Sequence, residues 1–230
     1  AGRDFNLVWI CAPSNPIGNS ISDEAVDAII AATDGLVIID AAYAEFADED
    51  LTARALEHDN VVVLRTFSKA WGLSGCRVGY AVGPPAVMAT LRNAGNPYPV
   101  AAPSARIARR RLGNGAAAMR EHVAQVRRER SELAGWLAER DIAAPPSQGN
   151  FLLADFGPRA GFTRRALAAL GVLVRAFPHR PEIATGLRIS LPGDAAAFDR
   201  LRRALAVVLE PQAMLFDLDG VLTDTASIHS

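Results

Sequence analysis

Hydrophobic residues in the first half of the chain form short continuous runs separated by stretches with helical spacing. Each run predicts a buried strand. The predicted strands are 7–11, 36–40, 61–65 and 77–82. After the first strand, Ser20 or Ser22 can cap a helix that extends to about Thr33, with Asp23 and Glu24 in its first turn. Strands that alternate with helices indicate βαβ units, so this half predicts a largely parallel sheet and an α/β fold.

The second half of the chain has a different pattern. Apolar residues from Met119 to Leu137 recur at helical spacing and predict one long helix over about 114–140. Pro145 and Pro146 prevent the helix from extending further. Shorter elements follow. The strands are predicted at 151–154, 172–175 and 187–191, and the helices at 163–170 and 195–209. This order predicts a smaller α+β unit.

The pattern therefore divides the chain into three segments. Residues 1–113 are expected to form part of a large domain, residues 114–212 a small domain, and residues 213–230 the beginning of a further domain. The chain begins without methionine and ends just after a new strand-like motif. We expect it to be a section of a longer protein.

Composition narrows the class of protein. Half of the 230 residues are hydrophobic and 21% are charged, which is typical of a soluble chain with a real core. A net charge of −1 gives no general electrostatic reason to bind nucleic acid, and no apolar run approaches the ~20 residues that span a bilayer. Cys11 and Cys76 lack metal-ligand partners at a useful spacing, which predicts no metal site and fits a reducing cytoplasm.

Lys69 is the most informative single residue. It is the only lysine among the 24 lysines and arginines, and it follows the apolar run of the third predicted strand within Thr66-Phe67-Ser68-Lys69. An arginine guanidinium stays protonated, whereas a partly buried lysine amine can lose its proton and attack a carbonyl carbon. Lys69 is therefore a candidate Schiff-base lysine. The alternative is an ordinary surface lysine that occurs once by chance.

Other candidate residues lie near strand ends, where reactive groups collect in parallel sheets. Asp40 ends the second predicted strand and could pair with a cationic ring nitrogen, or simply cap a helix. Arg77, with the hydroxyls of Thr66 and Ser68, could hold a phosphate, or form a surface ion pair. Arg188 lies within a short strand, where a substrate carboxylate would give its charge a partner.

Taken in order, these residues and their neighbours resemble the class I and II aminotransferases of fold type I, which depend on pyridoxal 5'-phosphate, and within them the histidinol-phosphate aminotransferase branch. The resemblance covers residues 5 to about 210, and the run 66–80 is its most specific part. The matching segments are 14–18, 40–46, 66–80, 96–100, 149–151, 171–175 and 187–190.

The resemblance implies a role for each candidate residue. Lys69 would bind the cofactor covalently and move a proton at the substrate, and Asp40 would pair with the pyridine nitrogen. The other cofactor contacts would come from Asn15, Tyr43, Thr66, Ser68 and Arg77.

The resemblance also implies the substrates and the assembly. Arg188 would bind the substrate carboxylate or an equivalent group, with Arg175 and Asn150 as candidates for recognising the substrate side chain. The substrates would be an amino acid or amino-phosphate and a 2-oxo acid, and the enzyme would be a homodimer. The family has further elements upstream of the matched region, so we expect the isolated chain to bind the cofactor poorly.

The last residues resemble a second family. The run 216–225 looks like the first motif of haloacid-dehalogenase-type phosphohydrolases, in which Asp217 would be the nucleophile and Asp219 the acid/base. Only this first motif is present, so no phosphatase activity is expected of the chain itself. The adjacency predicts an aminotransferase–phosphatase fusion.

Three alternatives remain open on the sequence. A decarboxylase of the threonine-phosphate type would share the same site residues. A phosphohydrolase could carry the upstream region as a non-catalytic scaffold, although a scaffold has no need for Lys69. The isolated chain could also be inactive.

Overall fold

The computed structural model describes residues 6–210. The predicted third segment, 213–230, lies outside the described residues, and so do Asp217 and Asp219.

The first half forms a four-stranded sheet in sequential order. Its strands are β1 (Leu7–Cys11), β2 (Leu36–Asp40), β3 (Val61–Thr66) and β4 (Gly79–Val82). The first three strands are parallel, as predicted, whereas β4 is antiparallel to β3. No crossover helix separates β3 from β4. Instead the chain doubles back, with Phe67 N donating to Val78 O at 3.0 Å.

Helix α1 (Asp23–Ala31) follows β1, and the short α2 (Thr52–Ala55) precedes β3. The Ser22 hydroxyl accepts a hydrogen bond from Ala25 N, which confirms Ser22 as the helix cap. Val26 and Ile30 of α1 are buried in a core that also contains alternate residues of the next two strands, namely Val37, Ile39, Val61 and Val63.

Three helices were not predicted from the sequence. One is the four-residue α2, and the other two are α3 (Pro85–Ala94) and α4 (Ala102–Asn114). Helix α3 has no buried side chain and α4 buries only Ala108. Helical periodicity is detected through a buried stripe, and neither helix has one in this structure.

The second half begins with the predicted long helix, α5 (Ala116–Ala138). A three-stranded antiparallel sheet follows, in the order β5-β7-β6, with a helix after β5 and another after β7. Its elements are β5 (Phe151–Asp155), α6 (Ala160–Ala169), β6 (Arg175–Ala176), β7 (Gly186–Ser190) and α7 (Ala195–Leu209).

The predicted strand 172–175 was wrong in extent, because only Arg175 and Ala176 pair with β7. Val172 and Val174 pack against the core while Leu173 between them is 87% exposed. This segment alternates inward and outward like a strand but has no ladder partner before Arg175.

The core of the second half extends into the first. Tyr43, Phe46 and Ala70 belong to the same buried cluster as Leu133 of α5 and Phe151 of β5. The two sheets are therefore joined through the loops that follow β2 and β3. The domain bounds at 113 and 212 stay a prediction.

Among residues 6–210, no helix combines the length and the apolar character needed to cross a membrane.

Candidate functional site

A cavity of about 390 Å³ opens where β2 and β3 end. Because the two strands are parallel and in register, with Asp40 beside Leu64, their carboxyl ends lie at the same edge of the sheet. Five of the predicted site residues line this cavity, and they are Asp40, Thr66, Ser68, Lys69 and Arg77.

Local hydrogen bonds shape the loop between β3 and β4. Thr66 Oγ1 accepts from Ser68 N at 3.0 Å and donates to Val78 O at 3.4 Å, which ties the start of the loop to its end. Arg77 adopts a left-handed backbone conformation, with φ of 54°, and its Nη1 donates to Ser74 O at 3.0 Å. The loop thus brings hydroxyl, amine and guanidinium groups to one cavity.

Asp40, at the end of β2, also lines this cavity. Its Oδ1 accepts a hydrogen bond from Ala42 N at 3.1 Å, a local turn that fixes the carboxylate after β2. Cys11 lies beside Asp40 in the strand register. Burial, together with the negative charge of Asp40, raises the pKa of the Cys11 thiol, so Cys11 stays neutral next to the carboxylate.

Aromatic rings connect Lys69 to Arg188. Lys69 Nζ lies 5.2 Å from the centroid of the Tyr43 ring, and Tyr43 packs edge-on against Phe151 at a centroid distance of 5.2 Å. The Arg188 guanidinium lies 5.2 Å from the centroid of Phe151 on β5. Tyr43 is only 5% exposed and is not among the residues that line the first cavity.

A second cavity of about 250 Å³ lies between the loop after β1 and the second sheet. Arg188 Nη1 donates to Asn15 Oδ1 at 2.6 Å, and Arg175 pairs with Arg188 in the strand register. The cavity is lined by Asn15, Pro16, Arg175, Phe177, Arg180 and Arg188. The predicted substrate residues Arg175 and Arg188 thus come together here. Asn15, which was predicted as a cofactor contact, lines this cavity and not the first, and Phe177 and Arg180 were not predicted.

Asn150 lines neither of these two cavities. It lies directly before β5, where its backbone oxygen accepts from Leu191 N at 2.9 Å. Its role in substrate recognition stays a prediction.

A partly buried ion network holds Arg65 of β3 at the wall of the first cavity. The Arg65 guanidinium donates to Glu45 Oε1 at 2.9 Å, to Asp50 Oδ2 at 2.7 Å and to Thr52 Oγ1 at 2.8 Å. Burial opposes the charge of Arg65, but the two carboxylates outweigh it and raise the pKa of the guanidinium. Arg65 therefore stays charged next to the strand end that carries Thr66.

Polar residues of α5 attach to the loops of both halves. Arg130 is 9% exposed and its Nη1 donates to Phe46 O at 3.3 Å and to Gly149 O at 2.9 Å, while Glu129 Oε2 accepts from Gly193 N at 2.8 Å. The sequence analysis missed Arg130, although it occupies the helical position between Val126 and Leu133 in the buried stripe. An arginine at a position of the buried apolar stripe indicates a side chain with a buried hydrogen-bond partner.

The first cavity matches the chemistry of pyridoxal 5'-phosphate. A phosphate needs several donors, which Ser68 and Arg77 offer, and a cationic ring nitrogen needs a carboxylate, which Asp40 offers. An aldehyde carbon needs an amine, and Lys69 lies in the same cavity. These residues fit the cofactor, and no group of three or more His, Cys, Asp or Glu side chains able to hold a metal ion occurs within residues 6–210.

Comparison with known proteins gives the following matches. The family model for aminotransferase class I and II matches residues 2–205. Histidinol-phosphate aminotransferase from Xanthomonas axonopodis pv. citri is 38% identical over 193 residues, which are 80% of this chain and 52% of that protein. Aromatic amino acid aminotransferase from Mycobacteroides abscessus is 36% identical over 205 residues, covering 86% and 57% of the two chains.

Solved structures give the same result for the fold. Histidinol-phosphate aminotransferase from Sinorhizobium meliloti, in complex with pyridoxal-5'-phosphate, superimposes with a TM-score of 0.78 at 28% identity, covering 90% of this chain and 58% of that chain. L-threonine-O-3-phosphate decarboxylase from Porphyromonas gingivalis has a TM-score of 0.77 at 23% identity, covering 89% and 65%, and so shares the fold. The chain spans about half the length of the curated relatives it matches.

Proposed function

Because the chain belongs to the class I and II aminotransferases, we propose that the protein containing it is a transaminase that uses pyridoxal 5'-phosphate. Its substrates in this proposal are an amino acid or amino-phosphate and a 2-oxo acid, with histidinol phosphate as the first compound to assay. The observation that supports it most is one cavity lined by Asp40, Lys69 and Arg77 at the carboxyl ends of two parallel strands. The family is dependent on this cofactor, and the Sinorhizobium meliloti structure contains it.

In this proposal each residue of the first cavity has a separate task. Ser68, Thr66 and Arg77 hold the cofactor phosphate, and Asp40 keeps a proton on the ring nitrogen. When bound, the cofactor supplies an electron-withdrawing ring that makes the substrate Cα–H bond acidic. The Lys69 amine would accept that proton and donate it to the cofactor carbon two bonds away, across the amino nitrogen.

Residues between the two cavities position the substrate. Tyr43 lies next to Lys69, and Asn15 holds Arg188 in place. Arg188 binds the anionic group of the substrate, and the amine of the substrate then points toward Lys69. Arg175 lies beside Arg188 and contributes to the same recognition.

The experiment that tests the proposal is reduction with borohydride in the presence of pyridoxal phosphate, followed by peptide mass mapping. The cofactor mass should appear on the peptide that contains Lys69. Since this is the only lysine, the N-terminal amine is the one other candidate, and mapping separates the two. Cofactor found only on the N-terminal amine would contradict the proposal.

Product analysis separates transamination from decarboxylation. With histidinol phosphate, or with threonine phosphate, and a 2-oxo acid, a transaminase forms a new amino acid without releasing carbon dioxide. Stoichiometric release of carbon dioxide from threonine phosphate would favour the decarboxylase.

The proposal also includes a further domain, an assembly and a location. A phosphohydrolase domain beginning at 213–230 is supported by the sequence of the Asp217–Asp219 motif alone. A homodimer is supported by the family resemblance, and a cytoplasmic location by the free thiols of Cys11 and Cys76. A phosphatase assay on the longer protein would test the phosphohydrolase domain, and sedimentation of the same protein would test the homodimer.

A further inference from the structure

The second cavity has an unusual charge composition. Three of its six lining residues are arginines, Arg175, Arg180 and Arg188, and the other three are Asn15, Pro16 and Phe177, so no carboxylate lines it. Guanidinium groups cannot release their protons, so they repel one another unless an anion lies between them. The lining therefore favours an anionic ligand.

None of these three arginines forms an ion pair with an acidic side chain in the part of the chain that the structure describes. Other arginines do form such pairs, for example Arg65 with Glu45 and Arg140 with Glu210. The charge of the second cavity is thus left without an internal partner.

Arg188 is held in a fixed orientation. Its Nη1 donates to Asn15 Oδ1, while its Nε is buried and has no hydrogen-bond partner. The bond to Asn15 fixes the orientation of the guanidinium, and the Arg188 side chain lines the second cavity, where an anion can meet it.

Arg180 reaches this cavity from a tight turn after β6. Its backbone N donates to Phe177 O at 3.0 Å, and its backbone O accepts from Ile183 N at 3.1 Å. These bonds fix the backbone of Arg180, a residue that lines the cavity together with Arg188 of β7. The side chain is exposed and can approach a ligand from the solvent side.

We propose that Arg180 is a specificity-determining residue, the third guanidinium that makes this cavity select a doubly charged phosphate-type group over a carboxylate. The inference rests on the proposed function, since it assigns the second cavity to the anionic end of the substrate. A phosphomonoester carries about −1.5 to −2 charges at pH 7 and three acceptor oxygens. A carboxylate carries one charge and two oxygens, which Arg175 and Arg188 suffice to bind.

The test measures two primary amines that differ in their anionic group. O-phosphoethanolamine and β-alanine are titrated calorimetrically into the whole chain at pH 7.5. The variants are Arg180→Gln, the charge-retaining Arg180→Lys and, as a charge-matched control, Arg109→Gln on the exposed face of α4. Each titration is repeated in an Arg77→Ala background, which weakens anion binding in the first cavity. A loss on changing Arg180 that is the same in this background belongs to the second cavity.

The expected result is that Arg180→Gln weakens O-phosphoethanolamine binding about tenfold and β-alanine binding by no more than about twofold, as expected for one charge-assisted hydrogen bond near solvent. Arg180→Lys should lose less, and Arg109→Gln nothing. Equal losses for both compounds, no loss for either, or a native chain that does not bind O-phosphoethanolamine would each overturn the inference.

Inorganic phosphate, titrated in the same series, separates a substrate site from a free-anion site. Weaker binding than that of O-phosphoethanolamine is expected, and equal binding would overturn assignment to an amino-phosphate. The outcome is independent of the cofactor. If the borohydride adduct is found on Lys69 but the Arg180 variants bind O-phosphoethanolamine like the native chain, the proposed function stands and only this inference fails.

Discussion

Arg188 and Asn15 are 173 residues apart in sequence, yet Arg188 Nη1 donates to Asn15 Oδ1 at 2.6 Å. Arg188 lies on β7 of the second sheet and Asn15 lies in the loop after β1 of the first. One hydrogen bond thus joins the proposed substrate residue Arg188 to the loop after β1, and it links the two sheets at the second cavity.

Replacing Lys69 should abolish the reducible link to pyridoxal phosphate, whereas replacing Arg77 should only weaken cofactor retention. Lys69→Ala removes the one side-chain amine of the chain, while Arg77→Ala leaves Thr66 and Ser68 as phosphate donors. The measurement is the borohydride-reduced mass on the 69-containing peptide over a range of cofactor concentrations. Equal losses in the two variants would contradict the division of roles.

Arg65→Met should destabilise the chain strongly. The change leaves Glu45, whose side chain is 11% exposed, buried without its cation. Removing one partner of a buried pair costs about 3–5 kcal/mol. Urea unfolding measures the loss, and Arg203→Met serves as the control because its pair with Asp199 is exposed. If both variants lose the same stability, the Arg65 network contributes nothing through burial.

Stability should fall in acid partly because of Asp50. Burial raises the pKa of Asp50, but hydrogen bonds from Thr52 and Arg65 outweigh burial and lower it below its ordinary value. A lowered folded-state pKa gives stability that is fully present above the unfolded value, about pH 4, and is lost as pH falls through the folded value. Asp50→Asn should therefore lose stability at pH 7 and show a flatter decline below pH 4.

The measurement for Asp50 is the free energy of unfolding in urea between pH 2.5 and pH 7, a range chosen to bracket the ordinary aspartate pKa of about 3.9. The neighbouring exposed Glu49→Gln is the control and should keep the native pH profile. An Asp50→Asn profile parallel to that of the native chain would contradict the assignment.

Gly18→Ala should damage the contact between the two halves. Gly18 has a φ of 92°, and a Cβ there would lie 2.1 Å from Ser147 Oγ. The backbone conformation alone costs about 1–3 kcal/mol for alanine, and the clash would also disturb the hydrogen bond from Gln148 N to Gly18 O at 2.7 Å.

Gly75→Ala is the matched control, because a Cβ at Gly75 meets nothing within 4 Å. Thermal unfolding should show a lower midpoint for Gly18→Ala and a nearly native midpoint for Gly75→Ala. Native stability of Gly18→Ala would mean that Ser147 moves aside at no cost.

The sequence predicted the strands of the first sheet because continuous apolar runs at β1, β2 and β3 leave no helical alternative. It could not predict that β4 reverses direction, because strand direction depends on how the 67–78 loop folds. The exposed helices α3 and α4 were missed for lack of a buried stripe.

Lys69 could be predicted to line a cavity because it is the only lysine of the chain. Arg180 could not be, since it is one of many arginines and only the fold brings it to the cavity of Arg188. Arg65 was hidden for a similar reason, because its acidic partners Glu45 and Asp50 come from a loop whose path the sequence does not specify.

The arginines of α5 have a mechanical consequence. Arg127 and Arg130 both donate to Phe46 O, Arg127 also donates to Ala47 O, and Arg130 also donates to Gly149 O. A rotation of α5 would therefore pull on the loop after β2 and on Gly149, just before β5, at the same time. These carbonyl bonds thus couple any movement of α5 to both halves of the fold.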